Sequence, residues 1–231
     1  MAIGANDMTT YIAMKWMAFE HHRLTLSQSF TVFPFRPRTV FSEAISPARH
    51  LSYWHRPYTA TKKLPMLFLH SVDVGLTTYT KFFRNFIDNE TKEDGQMGII
   101  ALEIMSIAMC MTTPSLHRDE ILREILRILD HHGWGKCVIV GVSYGTVVAT
   151  HLQRYLETKD RVGPIVLIDP VTLSIHVGEI PYNFIYRQPR TASEWQLQHF
   201  VSTDVGSNHA EVRVAFSATR NILNREMITV S

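Results

Sequence analysis

The residues best suited to chemistry lie together in one pentapeptide, Gly141-Val142-Ser143-Tyr144-Gly145. An apolar run at 137–140 precedes it, and residues 146–158 after it are predicted to form a helix. A serine between a strand and a helix, with glycine two positions away on each side, is the pattern of a nucleophile elbow. The two glycines lack a Cβ and leave room for the tight turn. We therefore expect Ser143 to be a nucleophile; the alternative is a glycine-rich strand–helix turn of another α/β fold.

A serine nucleophile needs a base, an acid that orients the base, and backbone N–H groups that stabilise the oxyanion. One N–H is expected from Tyr144, the residue after the serine. The other is expected from the loop after the apolar run at 65–70, where Val72 is the candidate; the alternative is a simple strand-to-helix connection. We expect His70 to shape this loop rather than to act as the base.

The acid and the base are sought after the serine, because that is the chain order in which this motif is found. Asp169 follows an apolar strand at 164–168 and is the candidate acid. His209 is the candidate base, with His199 as its competitor and His176 as a weaker one. The alternative for each of these histidines is a solvent-facing position on a helix.

The elements that must position these residues alternate along the chain. Short apolar runs predict strands at 65–70, 98–104, 137–140 and 164–168. Amphipathic spacing predicts helices at 76–89, 116–132 and 146–158. This order predicts an α/β fold in one domain, residues 1–231, with a mostly parallel sheet and helices on both faces.

Two segments depart from the alternation. Residues 1–63 are predicted to be an N-terminal extension over the body, with a helix at 9–24, proline-rich extended chain at 26–65, and edge strands near 31–33 and 51–54. Packing is the favoured role for its basic and aromatic residues; a binding surface is the alternative for Arg36, Arg38, Trp54, His55 and Arg56. Aromatic residues at 172–204 predict a cap over the strand ends.

Composition narrows the function classes. The 231 residues are 45% hydrophobic and 19% charged, with a net charge of +2, which is ordinary for a globular protein and gives no reason to expect nucleic acid as a partner. Cys110 and Cys137 are not expected to form a disulfide, and neither a signal peptide nor a membrane span is evident, so we expect a cytoplasmic protein. The sequence has no glycine-rich phosphate loop, so we expect no cofactor. His131-His132 has no cysteine or carboxylate partners at the spacing of metal ligands, so we expect no metal.

Several segments together resemble the fungal branch of the α/β-hydrolase superfamily, from about residue 11 to about residue 226. They are Tyr53-Trp54-His55-Arg56-Pro57, Leu67 to Leu76, Gly98 to Met105, Gly141 to Gly145, and Leu167-Ile168-Asp169-Pro170-Val171. The resemblance implies the α/β-hydrolase fold, with Ser143 as the nucleophile of a serine hydrolase. It implies a structural role for Asp169, at the end of that family's sixth strand.

The chain departs from the family in three places. Ser71 stands where the family has glycine after the histidine, and Val142 stands where it has histidine before the serine. The family's acid and histidine follow a seventh and an eighth strand, and this chain ends before both. We therefore expect a hydrolase of an ester or amide bond in a small apolar molecule, with an incomplete catalytic triad. The alternative is a catalytically inactive, C-terminally truncated hydrolase that serves as a binding or interaction module.

Overall fold

The computed structural model describes residues 2–90, 94–108, 110, 112, 116–171, 188–191 and 195, with side chains from residue 6 onward. Six α-helices and six strands follow one another in these ranges. Their order is α1 (Ala2–Trp16), β1 (Glu20–His22), α2 (Leu26–Ser29), α3 (Arg38–Phe41), β2 (Ser52–Arg56), β3 (Met66–Leu69), α4 (Thr80–Asp88), β4 (Ile99–Glu103), α5 (Arg118–His131), β5 (Cys137–Val142), α6 (Tyr144–Arg154) and β6 (Val162–Ile168).

The six strands form one mixed sheet in the order β1-β2-β4-β3-β5-β6. The pairs β4–β3, β3–β5 and β5–β6 are parallel, whereas β1–β2 and β2–β4 are antiparallel. The prediction of a mostly parallel sheet with intervening helices is thus confirmed. No described helix is both long and apolar enough to cross a bilayer.

Apolar side chains cover both faces of the sheet because successive residues of a strand point to opposite sides. Leu67 and Leu69 of β3 pack into one core with α5 and α6. Met66 and Phe68 of the same strand pack into a second core with α1 and α4. The helices therefore lie on both faces, as the alternation predicts. Cys110 and Cys137 are buried, free thiols.

The N-terminal segment differs from its prediction. The helix expected at 9–24 ends at Trp16, because Ala18 has a left-handed backbone (φ 62°) and Phe19 N–H donates to the Met14 carbonyl at 3.0 Å. This is a helix-ending motif that usually requires glycine. The chain then enters β1, so the prediction of helix over 20–22 is wrong.

The proline-rich stretch contributes more to the sheet than expected. No described strand covers 31–33, whereas the strand expected near 51–54 is β2. β2 is not at an edge, since it lies between β1 and β4. Two segments of the predicted 1–63 extension therefore enter the sheet instead of only covering it.

A buried charge network ties this segment to the sheet. The carboxylate of Glu103, at the end of β4, forms an ion pair with Arg38, and Arg38 also pairs with Asp7 of α1 at 3.0 Å. Arg36 donates to the Ala108 carbonyl at 2.9 Å. Arg36, Arg38 and Trp54 are all buried, so they do not form the binding surface considered as an alternative from the sequence.

Removing one partner of this network should strongly destabilise the protein. Arg38→Met removes the cation that pairs directly with Glu103 and leaves the buried Asp7 with Arg36 alone, at 3.6 Å, so we expect it to lower the unfolding free energy by about 3–5 kcal/mol. Chemical denaturation measures the difference. Arg118→Met is the matched control, because Arg118 pairs with Asp119 on the surface, and it should change stability little. Equal effects of the two variants would contradict a stabilising role for the buried network.

The same network predicts loss of stability in acid. Burial alone raises the pKa of Glu103, but Arg38 and Arg36 more than offset it and lower the pKa to about 2, from an ordinary value of 4.5. Because the folded-state pKa is depressed, this contribution is present above pH 4.5 and is lost as the pH falls toward 2. Denaturation at a series of pH values should therefore show a flatter dependence for Glu103→Gln than for wild type. Glu157→Gln, on the surface, should behave as wild type, and an unchanged slope in Glu103→Gln would contradict the assignment.

Candidate active site

Ser143 occupies the turn between β5 and α6 with an unusual backbone conformation, φ 48° and ψ −111°. L-residues adopt such positive φ values rarely, at a cost of about 1–3 kcal/mol. Hydrogen bonds hold both backbone groups of the residue. Its N–H donates to the Ile168 carbonyl at 2.8 Å, and its carbonyl accepts from Thr146 N–H at 2.9 Å and from Thr146 Oγ1 at 2.6 Å. The predicted strand–serine–helix turn is therefore present, with Ser143 half-buried at the start of the helix.

The glycines that flank Ser143 are required by close backbone approaches. A Cβ at Gly141 would lie 2.8 Å from the Gly145 carbonyl oxygen. A Cβ at Gly145 would overlap the carbonyl oxygen of Leu69 at the end of β3. α6 can therefore begin directly above β3 only because position 145 has no side chain.

The loop after β3 lies beside this turn, because Leu69 pairs with Gly141 in the parallel register. His70 begins the loop and is wholly buried. Its Nε2 accepts from Ile104 N–H at 3.0 Å, so Nδ1 carries the proton and donates to the Ser71 carbonyl at 2.5 Å. Burial lowers its pKa. His70 is thus a neutral histidine that holds the loop, as the sequence predicts.

Ser71, where the family has glycine, is held by a tyrosine of the next helical segment. Tyr79 Oη donates to Ser71 Oγ at 2.8 Å and accepts from Ser71 N–H at 3.2 Å. Burial raises the pKa of Tyr79 and keeps it protonated. The sequence analysis did not predict that Tyr79 holds Ser71. The only signal for this role was the position of Tyr79, eight residues after Ser71 at the start of a helix.

The two predicted oxyanion donors lie against the same part of the molecule. Val72 and Tyr144 both pack on the core that contains α5 and α6. Tyr144 is the first residue of α6, whose N-terminal end carries the positive end of the helix dipole. Within the described residues, Val72 N–H donates no hydrogen bond.

Asp169 follows β6 at the same edge of the sheet. Val142 pairs with Ile168, so Ser143 and Asp169 occupy the next positions of two neighbouring parallel strands. Asp169 is exposed and also has a left-handed backbone, φ 49°. No described group hydrogen-bonds to its carboxylate or to the Ser143 hydroxyl. The candidate base His209, its competitors His176 and His199, and nearly all of the predicted cap at 172–204 lie outside the described residues.

The described part of the chain does not enclose a pocket over Ser143. An open cavity of about 320 Å³ lies further along the sheet edge, after β4. Its lining combines N-terminal residues such as Leu24 and Leu51 with Ile104 and Met105. Neither Ser143 nor Val72 lines it.

One group of described side chains has the chemistry of a metal site, although the sequence predicts none. His22, His55 and His132 come from β1, β2 and the end of α5, and each offers a ring nitrogen within 4.8 Å of the others. Their spacing in the chain carries no signal, since only the strand pairing and the position of α5 bring them together.

The comparisons with known proteins decide the family. Residues 80–219, more than half of the chain, match the family model described as the alpha/beta hydrolase fold. The chain belongs to this family. Among curated proteins, no sequence matches it.

Solved α/β hydrolases resemble the chain at low identity. A hydrolase from Pseudomonas aeruginosa is 13% identical, covering 74% of this chain and 69% of that chain with a TM-score of 0.44. An esterase from Thermogutta terrifontis is 15% identical, covering 73% and 67%, with a TM-score of 0.45. The juvenile hormone epoxide hydrolase of Bombyx mori is 12% identical, covering 73% and 55%, with a TM-score of 0.44.

The close approach at Gly145 gives a test of the turn in this α/β hydrolase. Gly145→Ala places a methyl group against the Leu69 backbone, and we expect it to lower the unfolding free energy by about 1–3 kcal/mol. Gly135→Ala is the control, because no atom lies within 4 Å of a Cβ added at that position. Thermal or chemical denaturation compares the two. A Gly145→Ala protein as stable as Gly135→Ala would show that α6 and β3 are not held in contact.

Proposed function

We propose that this α/β hydrolase is a serine hydrolase that cleaves an ester or amide bond in a small apolar molecule. The observation that carries the proposal is the backbone of Ser143, a strained non-glycine residue between a strand and a helix. Strain of this kind persists where the surrounding structure fixes it, and such residues cluster at active sites. In this family the serine of G-x-S-x-G is the nucleophile.

The reaction would begin with attack of the Ser143 hydroxyl oxygen on the substrate carbonyl carbon. The new C–O bond forms as the hydroxyl proton passes to a base, and the proton then leaves with the departing alcohol or amine. Water hydrolyses the resulting acyl-enzyme. The backbone N–H groups of Tyr144 and Val72 would stabilise the oxyanion; each such donor contributes roughly 3 kcal/mol to transition-state stabilisation.

Support for these two donors comes from the sheet. The parallel pairing of β3 with β5 puts the loop of Val72 next to the turn of Ser143. Tyr144 directly follows the nucleophile at the start of α6. The side chain of Ser71 is held by Tyr79, so the backbone of the loop is fixed before substrate binds.

We assign Asp169 as the acid and His209 as the base of the same site. Asp169 is supported by its position beside Ser143 at the ends of β5 and β6 and by its exposed carboxylate, to which no group in the described part of the chain hydrogen-bonds. A histidine that hydrogen-bonds to Asp169 on one side and to Ser143 on the other would complete the triad. His209 rests on the order of the chain alone, and so does the substrate cap at 172–204, whose aromatic residues suggest an apolar substrate.

The placement in the fungal branch of the family also remains a proposal, because the family match does not distinguish branches. The alternative function is that of an inactive, truncated hydrolase that acts as a binding module. The two functions share a fold and differ in whether Ser143 reacts.

An active-site fluorophosphonate probe tests the nucleophile directly. We expect wild type to be labelled once, at Ser143, and Ser143→Ala to lose the label completely. Ser27→Ala is the control, since Ser27 is an exposed serine far along the chain from the turn, and it should be labelled as wild type. Intact mass and peptide mapping identify the modified residue.

An unlabelled wild-type protein with a cooperative unfolding transition would overturn the proposal and favour the inactive binding module. Equal labelling of wild type and Ser143→Ala would also overturn it, because the probe would then react elsewhere. Labelling that is lost in Ser143→Ala but retained in His209→Asn would keep the nucleophile and reject His209 as its base.

A further inference from the structure

A cluster of three histidines lies where β1, β2 and α5 meet, and it plays no part in the proposed hydrolase reaction. We define the histidine cluster as His22, His55 and His132. The rings of His55 and His132 stack with centroids 3.8 Å apart, and the His22 ring meets His132 edge-on at 5.3 Å.

The pairing of β1 with β2 explains why two of these rings face the same way. Glu20 pairs with His55 and His22 pairs with Tyr53, so all four side chains point to one face of the sheet. His132, directly after α5, lies over this face of the sheet. Tyr53 Oη lies 2.9 Å from Nε2 of His132 and fixes the orientation of that ring.

His22 is buried without the partners that a buried imidazole normally has. It is only 6% exposed, and neither ring nitrogen makes a hydrogen bond of normal geometry within the described residues. Leaving a buried polar group unsatisfied costs about 1–3 kcal/mol. A bound cation would satisfy the nitrogen that points into the cluster.

The positions of the ring nitrogens are those of a candidate metal site. Each histidine offers one ring nitrogen, and the three nitrogens lie within 4.8 Å of one another.

We propose that His22, His55 and His132 bind one Zn²⁺ ion, with the Glu20 carboxylate as the fourth ligand. Imidazole nitrogens suit zinc, and a carboxylate is a common companion ligand in a tetrahedral site. A Glu20 oxygen lies 3.7 Å from Nε2 of His22. Zinc–nitrogen distances of about 2.0–2.1 Å place tetrahedral ligand atoms about 3.3 Å apart. The His55 and His132 rings stack at an interplanar angle of 24°, so one of them must turn out of the stack for both nitrogens to point at the ion.

The site is structural rather than part of the hydrolase chemistry. His55 pairs with Ile100 near the start of β4, whereas Ser143 follows the end of the parallel strand β5. The cluster therefore lies near the amino-terminal ends of the parallel strands, whereas Ser143 lies at their carboxyl-terminal ends. Three strand spacings of about 4.8 Å also separate β2 from β5. The ion would join β1 and β2 to the end of α5.

Zinc titration of the full chain, first freed of metal with a chelator, tests the site. With a competing chromophoric chelator, we expect wild type to bind one Zn²⁺ ion more tightly than any further Zn²⁺ ion. His55→Asn and His132→Asn should each lower that affinity at least about tenfold, and Glu20→Gln should lower it less. His50→Asn is the control, because His50 is exposed and outside the cluster. Unchanged affinity in His55→Asn or His132→Asn would overturn the proposal.

Two further measurements keep the test decisive if a variant folds poorly. Co²⁺ added to wild type should give the intense visible absorption of a four-coordinate ion; only the weak bands of a six-coordinate ion would contradict the site. Zn²⁺ should raise the melting temperature of wild type and of His50→Asn, whereas Mg²⁺, which prefers oxygen ligands, should not. A wild-type melting temperature that does not respond to Zn²⁺ would also overturn the proposal.

Discussion

The contact on which the site depends is the approach of α6 to the end of β3. The carbonyl oxygen of Leu69 lies so close to Gly145 that any side chain at position 145 would overlap it. This contact fixes where α6 begins, and the short connection from β5 then forces Ser143 into its left-handed backbone. The strain at Ser143 is balanced by hydrogen bonds to Ile168 and Thr146. The position of Ser143 is therefore set by backbone packing between three strands and one helix, before any side chain of the site is considered.

Much of this arrangement could be predicted from the sequence because it depends on local patterns. Apolar runs of four to seven residues identified β3, β4, β5 and β6, and the glycines at 141 and 145 identified the turn. These signals work because β3, β4 and most of β5 are buried on both faces and because only glycine fits a close backbone approach. β6 has the same apolar composition but is partly exposed along its length. The family match over residues 80–219 covers β4, β5 and β6 but begins after β3.

The N-terminal segment could not be predicted as well, because its structure depends on distant partners. β1 has only three residues and becomes a strand by pairing with β2. Ala18 ends α1 in a conformation that its residue type does not favour, so the sequence offered no stop signal. Arg36 and Arg38 look like surface residues by type, and only Glu103 and Asp7, far away in the chain, explain why they are buried. The histidine cluster was hidden for the same reason.

The buried charge network and the candidate oxyanion loop contact the same segment, which is the end of β4 and the residues just after it. One oxygen of Glu103 lies 2.8 Å from the position of a Cβ at Gly75, which has a left-handed backbone (φ 74°). The loop is also held by His70 through Ile104 N–H and by Asp73 N–H, which donates to the Ile107 carbonyl at 3.1 Å. Each of these anchors lies at or just after the end of β4.

A backbone donor stabilises an oxyanion most effectively when it does not have to reorganise during the reaction. The loop that carries Val72 meets this requirement at its start and middle, where His70 and Asp73 hydrogen-bond to the segment after β4. The charge network in turn holds that segment against α1 and α3. The N-terminal segment is thus needed for more than covering the sheet: it supplies the two arginines without which Glu103 could not stay ionised beneath the loop.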